Sequence, residues 1–389
     1  MADLAVGHRP ATRLIAVKMR IVFYDHTPVD YTPETPFARP LGGSESAQCY
    51  LAIELARRGH SVVLITNTSV PGRYLGVDCS NHHDQGTRAV LNSAHVIIAS
   101  NESLGRSLKD QGIGPPMVLW IGHAHDQPAI KGLEAARERK AWAGYAFVSQ
   151  WQLEKFFDEF WVPQDRSRVM RNAVSPGFLE LSPPAPWYER GEPPVLVYTS
   201  QPYRGLDVLL DAFPTIRKAI PETRLKVFSG FASTYNTALA DDPHQALYCR
   251  CAETAGVDYV GPVAQPALAQ EIATAAALAY PSTFMETSCI AVLEAMAAGL
   301  TVCTTRLGAL PETTAGFARL VEFSADRATL TRDFAGTMIA ALSDCRERPS
   351  EALARRETQT AFVRQNYAWP KRAQEWEAWL GEIVARFPN

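Results

Sequence analysis

The sequence of 389 residues lacks long hydrophobic runs, has few cysteines and carries no excess of either charge. No apolar stretch approaches the roughly 18 residues that span a bilayer, so we expect no transmembrane helix. The seven cysteines are odd in number and scattered, which favours reduced thiols in the cytoplasm over a disulfide framework. A formal net charge of −3 argues against broad nucleic-acid binding.

Clusters of metal-ligating residues are scarce as well. "SNHHDQG" (80–86) and the Cys249/Cys251 pair with His244 each lack a second cluster at a fixed spacing, and the same is true of "HAHD" (123–126). A structural metal site needs four such ligands. We therefore expect no bound metal and no cofactor.

The sequence does contain a regular alternation of short β-branched runs with longer segments of helical period, which is typical of α/β folds. A chain of this length also exceeds one ordinary core. The pattern predicts two open, doubly wound parallel sheets with a cleft between them. The predicted strands are "RIVFY" (20–24), "SVVLIT" (61–66), "AHVIIAS" (94–100), "PMVLWIG" (116–122), "GYAFVSQ" (144–150), "VLVYTS" (195–200), "RLKVFSG" (224–230), "DYVGPV" (258–263), "LAYPS" (278–282) and "LTVCTT" (300–305).

The alternation is interrupted once, by the proline-rich segment "SPPAPWYERGEPP", which is the best candidate for a linker. The start of the chain differs in pattern from the rest, so we expect it to be a loose leader. It has no apolar segment long enough for a signal peptide, so none is expected. The predicted organisation is a leader at 1–18, a first domain at 19–181, the linker at 182–194, a second domain at 195–365 and an aromatic helix at 366–389.

"PSTFMETSCIAVLEAMAAGL" (281–300) contains Glu286 and Glu294, eight positions apart. We predict Glu286 in a loop after a strand and Glu294 on a helix, capped by Thr287 or Ser288 and ended by a glycine. The N-terminus of that helix suits a phosphate, whereas carboxylates suit the vicinal hydroxyls of sugars. A solvated surface pair is the alternative, but the apolar neighbours of Glu294 argue against it.

This segment, with "LGALPE" downstream, resembles the E-x7-E region of the retaining, nucleotide-sugar-dependent glycosyltransferases of family 4. Further segments agree in the same order, over about residues 19–315. The resemblance implies the GT-B fold, in which two Rossmann-like domains face each other across a cleft, and a C-terminal helix that crosses back to the first domain. The supporting segments are "LGGSESAQCYLAIELARRGHSVVLIT", "FVSQWQLEKF", "RNAVSPGF" and "RGLDVLLDAF".

For the donor, the resemblance implies that Glu294 binds the ribose hydroxyls and Glu286 the hydroxyls of the transferred sugar. Arg204 occupies the place of the family's lysine and would neutralise the leaving diphosphate. Backbone amides would bind the distal phosphate; these belong to Thr287, Ser288, Cys289 and Ile290.

On the acceptor side, Gly42, Gly43 and Ser44 match the family's Gly-Gly loop, where backbone comes close to the diphosphate or the acceptor. The family also has a histidine near the reacting centre, for which His123 is favoured over His125. Each of these residues has a plain alternative as part of a turn or loop.

Two departures from the family pattern concern the phosphates and the sugar. Thr199 stands where the family usually has an arginine, and Arg306 is the candidate to replace it. "ETSC" stands in place of the commoner E-x-F-G, so the sugar pocket is expected to differ in shape.

The resemblance implies retaining, metal-independent transfer of a sugar, of the hexosyltransferase type, from a nucleoside-diphosphate sugar to an acceptor hydroxyl. The absence of Asp-x-Asp, which holds a divalent ion in the other main fold of these enzymes, agrees with this. The acceptor is a glycan, a lipid-linked sugar or a small molecule. The aromatic segment 149–162 leaves open a peripheral contact at the inner face of the membrane. Alternatives are an epimerase or phosphorylase on the same fold, or a degenerate protein that acts as a scaffold.

Overall fold

A computed structural model of the protein describes residues 18–100, 102–231 and 242–388. The predicted leader lies almost entirely outside these described residues. Among the helices of the described part, none combines the length and apolar character needed to cross a membrane.

The first sheet has eight strands in the order β3-β4-β2-β1-β5-β6-β7-β8. Neighbouring strands are parallel, apart from the antiparallel pair β3 and β4. The central strands are buried on both faces, because helices cover both sides of a parallel sheet. The strands are β1 (Arg20–Tyr24), β2 (Ser61–Thr66), β3 (Gly72–Tyr74), β4 (Val77–Asn81), β5 (Val96–Ser100), β6 (Met117–Ile121), β7 (Gly144–Phe147) and β8 (Ser167–Val169).

The helices of this half follow the predicted alternation. The longest of them ends before Gly59, whose φ of +92° is the left-handed conformation that terminates helices. The helices are α1 (Thr35–Ala38), α2 (Gly43–Arg57), α3 (Thr87–Asn92), α4 (Gly105–Asp110), α5 (Ala136–Ala141), α6 (Gln150–Phe160) and α7 (Pro176–Glu180), with 3-10 turns at Pro128–Glu134 and Gln164–Arg166.

The second sheet has six strands in the order β11-β10-β9-β12-β13-β14, and every neighbouring pair is parallel. The prediction of two parallel α/β sheets is therefore confirmed. The strands are β9 (Val195–Tyr198), β10 (Arg224–Val227), β11 (Val257–Tyr259), β12 (Ala277–Tyr280), β13 (Thr301–Thr305) and β14 (Arg319–Val321).

The helices of the second half cover both faces of this sheet, and a 3-10 turn at Pro202–Arg204 precedes the first of them. Residues 182–194, all described, run between the two sheets without helix or strand. The limits of two independent domains stay a prediction. The helices are α8 (Leu206–Ala219), α9 (Gln245–Glu253), α10 (Gln265–Ile272), α11 (Ile290–Ala297), α12 (Leu310–Thr314), α13 (Arg327–Glu347) and α14 (Pro349–Asn366).

The last helix, α15 (Trp369–Arg386), packs on the first sheet although it follows the second in sequence. Trp376 is 1% exposed, and its ring lies 5.1 Å from that of Trp120 on β6. A Cβ on Gly144 of β7 would lie 2.9 Å from the ring of Trp379, so the missing side chain makes room for this helix. The chain thus returns to its first half at its end.

We expect Trp376→Ala to lower the free energy of unfolding of the first half by about 3–5 kcal/mol, because a large buried aromatic leaves a cavity. Trp161→Ala is the matched control, since Trp161 is 78% exposed and its loss should change little. Urea unfolding followed by circular dichroism measures both. A loss below about 1 kcal/mol for Trp376→Ala would contradict this packing role.

Candidate functional site

A cleft of about 690 Å³ lies where the carboxyl ends of the two sheets face each other. Parallel α/β sheets bind ligands at this edge, because the strand-to-helix loops converge there. The first half contributes the loops after β1 and β6 and the start of α2, and the second half contributes the loops after β9 and β12. The site therefore belongs to both halves of the chain.

The helix that carries Glu294 begins at Ile290, with Cys289 at its N-cap and no described side chain capping it. The prediction that Thr287 or Ser288 caps the helix is wrong. The hydroxyl of Thr287 instead donates a 2.6 Å hydrogen bond to the carbonyl of Gly122, in the other half. Ser288, Cys289 and Ile290 all line the cleft, so the positive end of the helix is open to an anion.

The Gly-Gly loop lies opposite this helix N-terminus. Gly42, Gly43 and Ser44 line the cleft, and a Cβ on Gly43 would lie 3.3 Å from the Cδ1 of Ile290. A side chain at residue 43 would therefore press on the start of α11. Glycine here lets the backbone of the first half approach the N-terminus of α11.

Glu286 is buried in the loop after β12, where two groups bind its Oε1. The Nη1 of Arg204 lies 2.8 Å from that oxygen, and the hydroxyl of Tyr280 donates to it. The backbone is held as well, because the carbonyl of Glu286 accepts the N–H of Ala309 at 2.7 Å. Gly308 passes so close that a Cβ would lie 2.4 Å from this carbonyl oxygen, which explains the glycine in "LGALPE".

Arg204 comes from the loop after β9, the strand beside β12 in the sheet. Its guanidinium lies 4.3 Å from the ring centroid of Phe284 and 5.6 Å from that of Tyr203, which favours a cation. Its Nε is buried and has no hydrogen-bond partner among the described residues. A buried donor without a partner is costly.

Glu294 is 4% exposed, and it lines the cleft from α11. Burial raises the pKa of its carboxyl to about 8, and hydrogen bonds from Ser175 oppose this rise only in part. Burial also raises the pKa of nearby Tyr50, and the charge of Glu294 adds to that rise. Since Glu286 is buried too, the interpretation of the two glutamates as a solvated surface pair is wrong.

His123 lines the cleft and His125 does not. Burial lowers the pKa of His123, a hydrogen bond with Gln127 opposes this, and the charge of Arg204 lowers it further. The imidazole facing the cleft is therefore neutral at pH 7. The ring of His125 instead lies 6.3 Å from that of Trp151, with its Nδ1 buried and without a partner among the described residues.

Arg306 is not brought to the cleft. Its side chain is half exposed and forms an ion pair with Glu322 at 2.6 Å, outside the lining residues. Thr199 does line the cleft, at the position where the resemblance leads one to expect arginine. Arg306 therefore does not take the place of the missing arginine in this structure.

Glu45, which is not predicted from the sequence, lines the cleft from the first turn of α2. Burial raises the pKa of Glu45 to about 7, and the charge of Asp25 adds to this. Asp25 is fully buried at the end of β1, where it accepts hydrogen bonds from Tyr31 and Gln48. In the sequence, the position of Glu45 directly after the Gly-Gly loop is the feature that could have identified it as a cleft residue.

A second missed residue, Glu312, joins the two halves beside the cleft. Its carboxylate accepts the backbone N–H groups of Gln150 and Trp151, each at 3.0 Å. These amides form the N-terminus of α6 in the first half, while Glu312 belongs to α12 in the second. The acid at the end of "LGALPE" therefore binds the positive end of a helix in the other half of the chain.

Within the described part of the chain, His, Cys, Asp and Glu side chains form no group of three or more that could hold a metal ion. The segment 80–86 does bring histidines together, with ring centroids of His82 and His83 4.1 Å apart. Cys249 is exposed and Cys251 buried, and both are free thiols.

Comparisons with known proteins agree with this architecture. Residues 193–344 match the family model described as "Glycosyl transferases group 1". Among curated proteins, none matches the sequence significantly.

Solved structures match over nearly the whole chain. Sucrose-phosphate synthase from Thermosynechococcus elongatus has a TM-score of 0.70 at 16% identity, covering 95% of this chain and 100% of that one. A glycosyltransferase from Rickettsia africae ESF-5 has a TM-score of 0.69 at 14% identity, with 95% and 99% covered. HepE from Anabaena, in complex with UDP-glucose, has a TM-score of 0.68 at 16% identity, with 95% and 100% covered. The fold is that of the GT-B glycosyltransferases, and its second half matches the group 1 family of these enzymes.

Proposed function

We propose that the protein transfers a sugar from a nucleoside-diphosphate sugar to an acceptor hydroxyl, retaining the anomeric configuration and using no metal. One observation carries this proposal. The N-terminus of α11 and Arg204 line the same cleft, and the Nε of Arg204 has no hydrogen-bond partner among the described residues. Both favour an anion, and Glu286 and Glu294 lie beside them to accept hydroxyls.

The donor is bound by the second half of the chain in this proposal. Its ribose hydroxyls donate to Glu294, and its diphosphate lies between the α11 N-terminus and Arg204. The Oε1 of Glu286 is already bound by Arg204 and Tyr280. Its Oε2 accepts no hydrogen bond from the described residues, and this oxygen would accept hydroxyls of the transferred sugar.

The chemistry then depends on stabilising charge that develops on the departing diphosphate. Arg204 and the helix N-terminus are fixed before the reaction, so they need no reorganisation as the bond breaks. Neutral His123 faces the reacting centre from the first half, and the Gly42–Ser44 loop holds the acceptor close to it. The acceptor is a glycan, a lipid-linked sugar or a small molecule. Because HepE was solved with UDP-glucose, UDP is the first nucleotide to test.

Binding of UDP should depend on Glu294. At about 100 times its dissociation constant a ligand adds roughly 2.7 kcal/mol to the free energy of unfolding, and Glu294→Ala should lose most of this gain. Thermal unfolding with UDP, GDP, ADP and dTDP measures it, with Glu322→Gln as control, because Glu322 is exposed and does not line the cleft. If one nucleotide stabilises Glu294→Ala as much as wild type, the ribose role is wrong. If none stabilises wild type, the alternative of a degenerate protein that acts as a scaffold is favoured.

Turnover should depend on Arg204. Replacing a group that stabilises developing charge costs about 10²–10³ in kcat, so Arg204→Gln should lose that much while the protein stays folded. Arg306→Gln is the matched control, because this arginine is half exposed and outside the cleft. Release of UDP from UDP-glucose, with and without candidate acceptors, measures both. Conversion of the donor without release of UDP would instead indicate an epimerase.

The buried Glu294 predicts a pH dependence of stability in the ligand-free protein. Its pKa rises on folding from 4.5 to about 8, so between these values the folded state holds a proton that the unfolded state has lost. This contribution to the free energy of unfolding therefore falls as pH rises from about 4.5 to 8, by at most about 1.4 kcal/mol per pH unit. Glu294→Gln removes it, so the stability of this variant relative to wild type should increase with pH. If urea unfolding shows that the free energies of unfolding of the two proteins depend on pH in the same way, this prediction is wrong.

A further inference from the structure

A second cavity, of about 310 Å³, lies on the second half of the chain, at the junction of α13 and α14. It shares no lining residue with the cleft. We call it the junction cavity. Its floor is apolar, with Leu300, Phe317 and Ala341, and Cys345 lies beside them. Pockets of this volume are at the lower end of the range that holds small molecules.

The rim of the junction cavity is positively charged. Four arginines line it, from β14, from the residue between the two helices and from α14, against the carboxylates of Asp344 and Glu351. The lining therefore has a formal charge of +2, while the whole chain has −3. The arginines are Arg319, Arg348, Arg355 and Arg356.

Asp344 fixes two of these guanidiniums in place. It accepts hydrogen bonds from Arg319 at 2.7 Å and from Arg348 at 2.5 Å, one on each carboxylate oxygen. Each guanidinium has five N–H donors, and among the described residues the side chain of Arg319 donates to Asp344 alone. Two arginines are therefore held in position with donors left over, which reduces the entropy lost on binding a ligand.

The other two arginines form no ion pair with a described carboxylate, although the charge of Arg355 lowers the pKa of Asp344. Arg355 makes no side-chain hydrogen bond or ion pair with any described residue. Arg356 donates to the carbonyl of Pro184 and packs over Gly299, where a Cβ would lie 2.6 Å from its Nε. Burial lowers the pKa of Arg356, and the charges of Glu189 and Glu357 oppose this in part. The rim therefore keeps an excess of positive charge, which favours an anion.

We propose that the junction cavity binds a small molecule carrying a phosphate group, at a site separate from the cleft. Guanidinium groups bind phosphate oxygens in pairs and with fixed geometry. The apolar floor contacts the remainder of the molecule. This proposal is independent of the glycosyl transfer proposed for the cleft.

Calorimetric titration with glucose 6-phosphate at low salt tests the site. We expect binding by the full chain, weakened at least about tenfold in Arg355→Glu, since a hydrogen bond to a charged group is worth that much or more. Arg332→Glu is the matched control on α13, because it is exposed and lies outside the cavity. Equal affinity of Arg355→Glu and wild type would overturn the proposal.

Hydrogen exchange in the presence of glucose 6-phosphate shows where it binds. This is needed because the N-terminus of α11 in the cleft also attracts such anions. Protection of residues 341–356 supports the junction cavity, whereas protection confined to 286–293 overturns it. Titration with inorganic phosphate shows whether the site prefers a phosphate ester or free phosphate. Tighter binding of glucose 6-phosphate identifies an esterified phosphate, and equal binding identifies the free ion at the same site.

Discussion

The ion pair between Arg204 and Glu286 is the interaction on which the cleft depends. The two residues follow adjacent parallel strands, β9 and β12, so the sheet itself brings their loops together. Removing either partner would leave a charge with little compensation, and such losses are far larger than the net value of the pair. Because Glu286 precedes α11 by only a few residues, the pair also fixes where that helix begins. The N-terminus that faces the cleft is thus positioned by two side chains and not by a cap of its own.

The two halves of the chain meet through polar contacts with backbone groups. The hydroxyl of Thr287 donates to the carbonyl of Gly122, and the carboxylate of Glu312 accepts two amides at the start of α6. Contacts of this kind form and break at small net cost, because water can replace either partner. They therefore suit a cleft that closes on a donor and opens again to release product. Apolar contacts come from α15, which packs in the core of the first half, and from Phe178 of α7, which packs in the core of the second.

Much of the fold could be predicted from sequence, because the central strands are short β-branched runs buried on both faces. The strands that were missed lie at or near the sheet edges: "VDCSN" of β4 alternates buried and exposed residues, and β3, β8 and β14 have three residues each. The cap of α11 was mispredicted because Thr287 found a tertiary acceptor, which local sequence does not show. Glu45 was missed for a related reason. Its pKa is raised first by burial and then by the charge of Asp25, which is 20 positions away in sequence, and both depend on the fold.

The cleft has an unusual balance of charge for a site that would bind a diphosphate. Among its described lining residues Arg204 is the one arginine or lysine, against the three glutamates Glu45, Glu286 and Glu294, and Thr199 supplies no second cation. Three ionised carboxylates would repel the donor strongly in a partly dry cleft. Burial prevents this by raising the pKa of Glu45 to about 7 and that of Glu294 to about 8, while Glu286 is bound by Arg204. The acids therefore offer oxygens to hydroxyl groups without presenting their full charge to the phosphates. With one arginine, the N-terminus of α11 must supply the rest of the anion's stabilisation, which makes its uncapped start a requirement of the site.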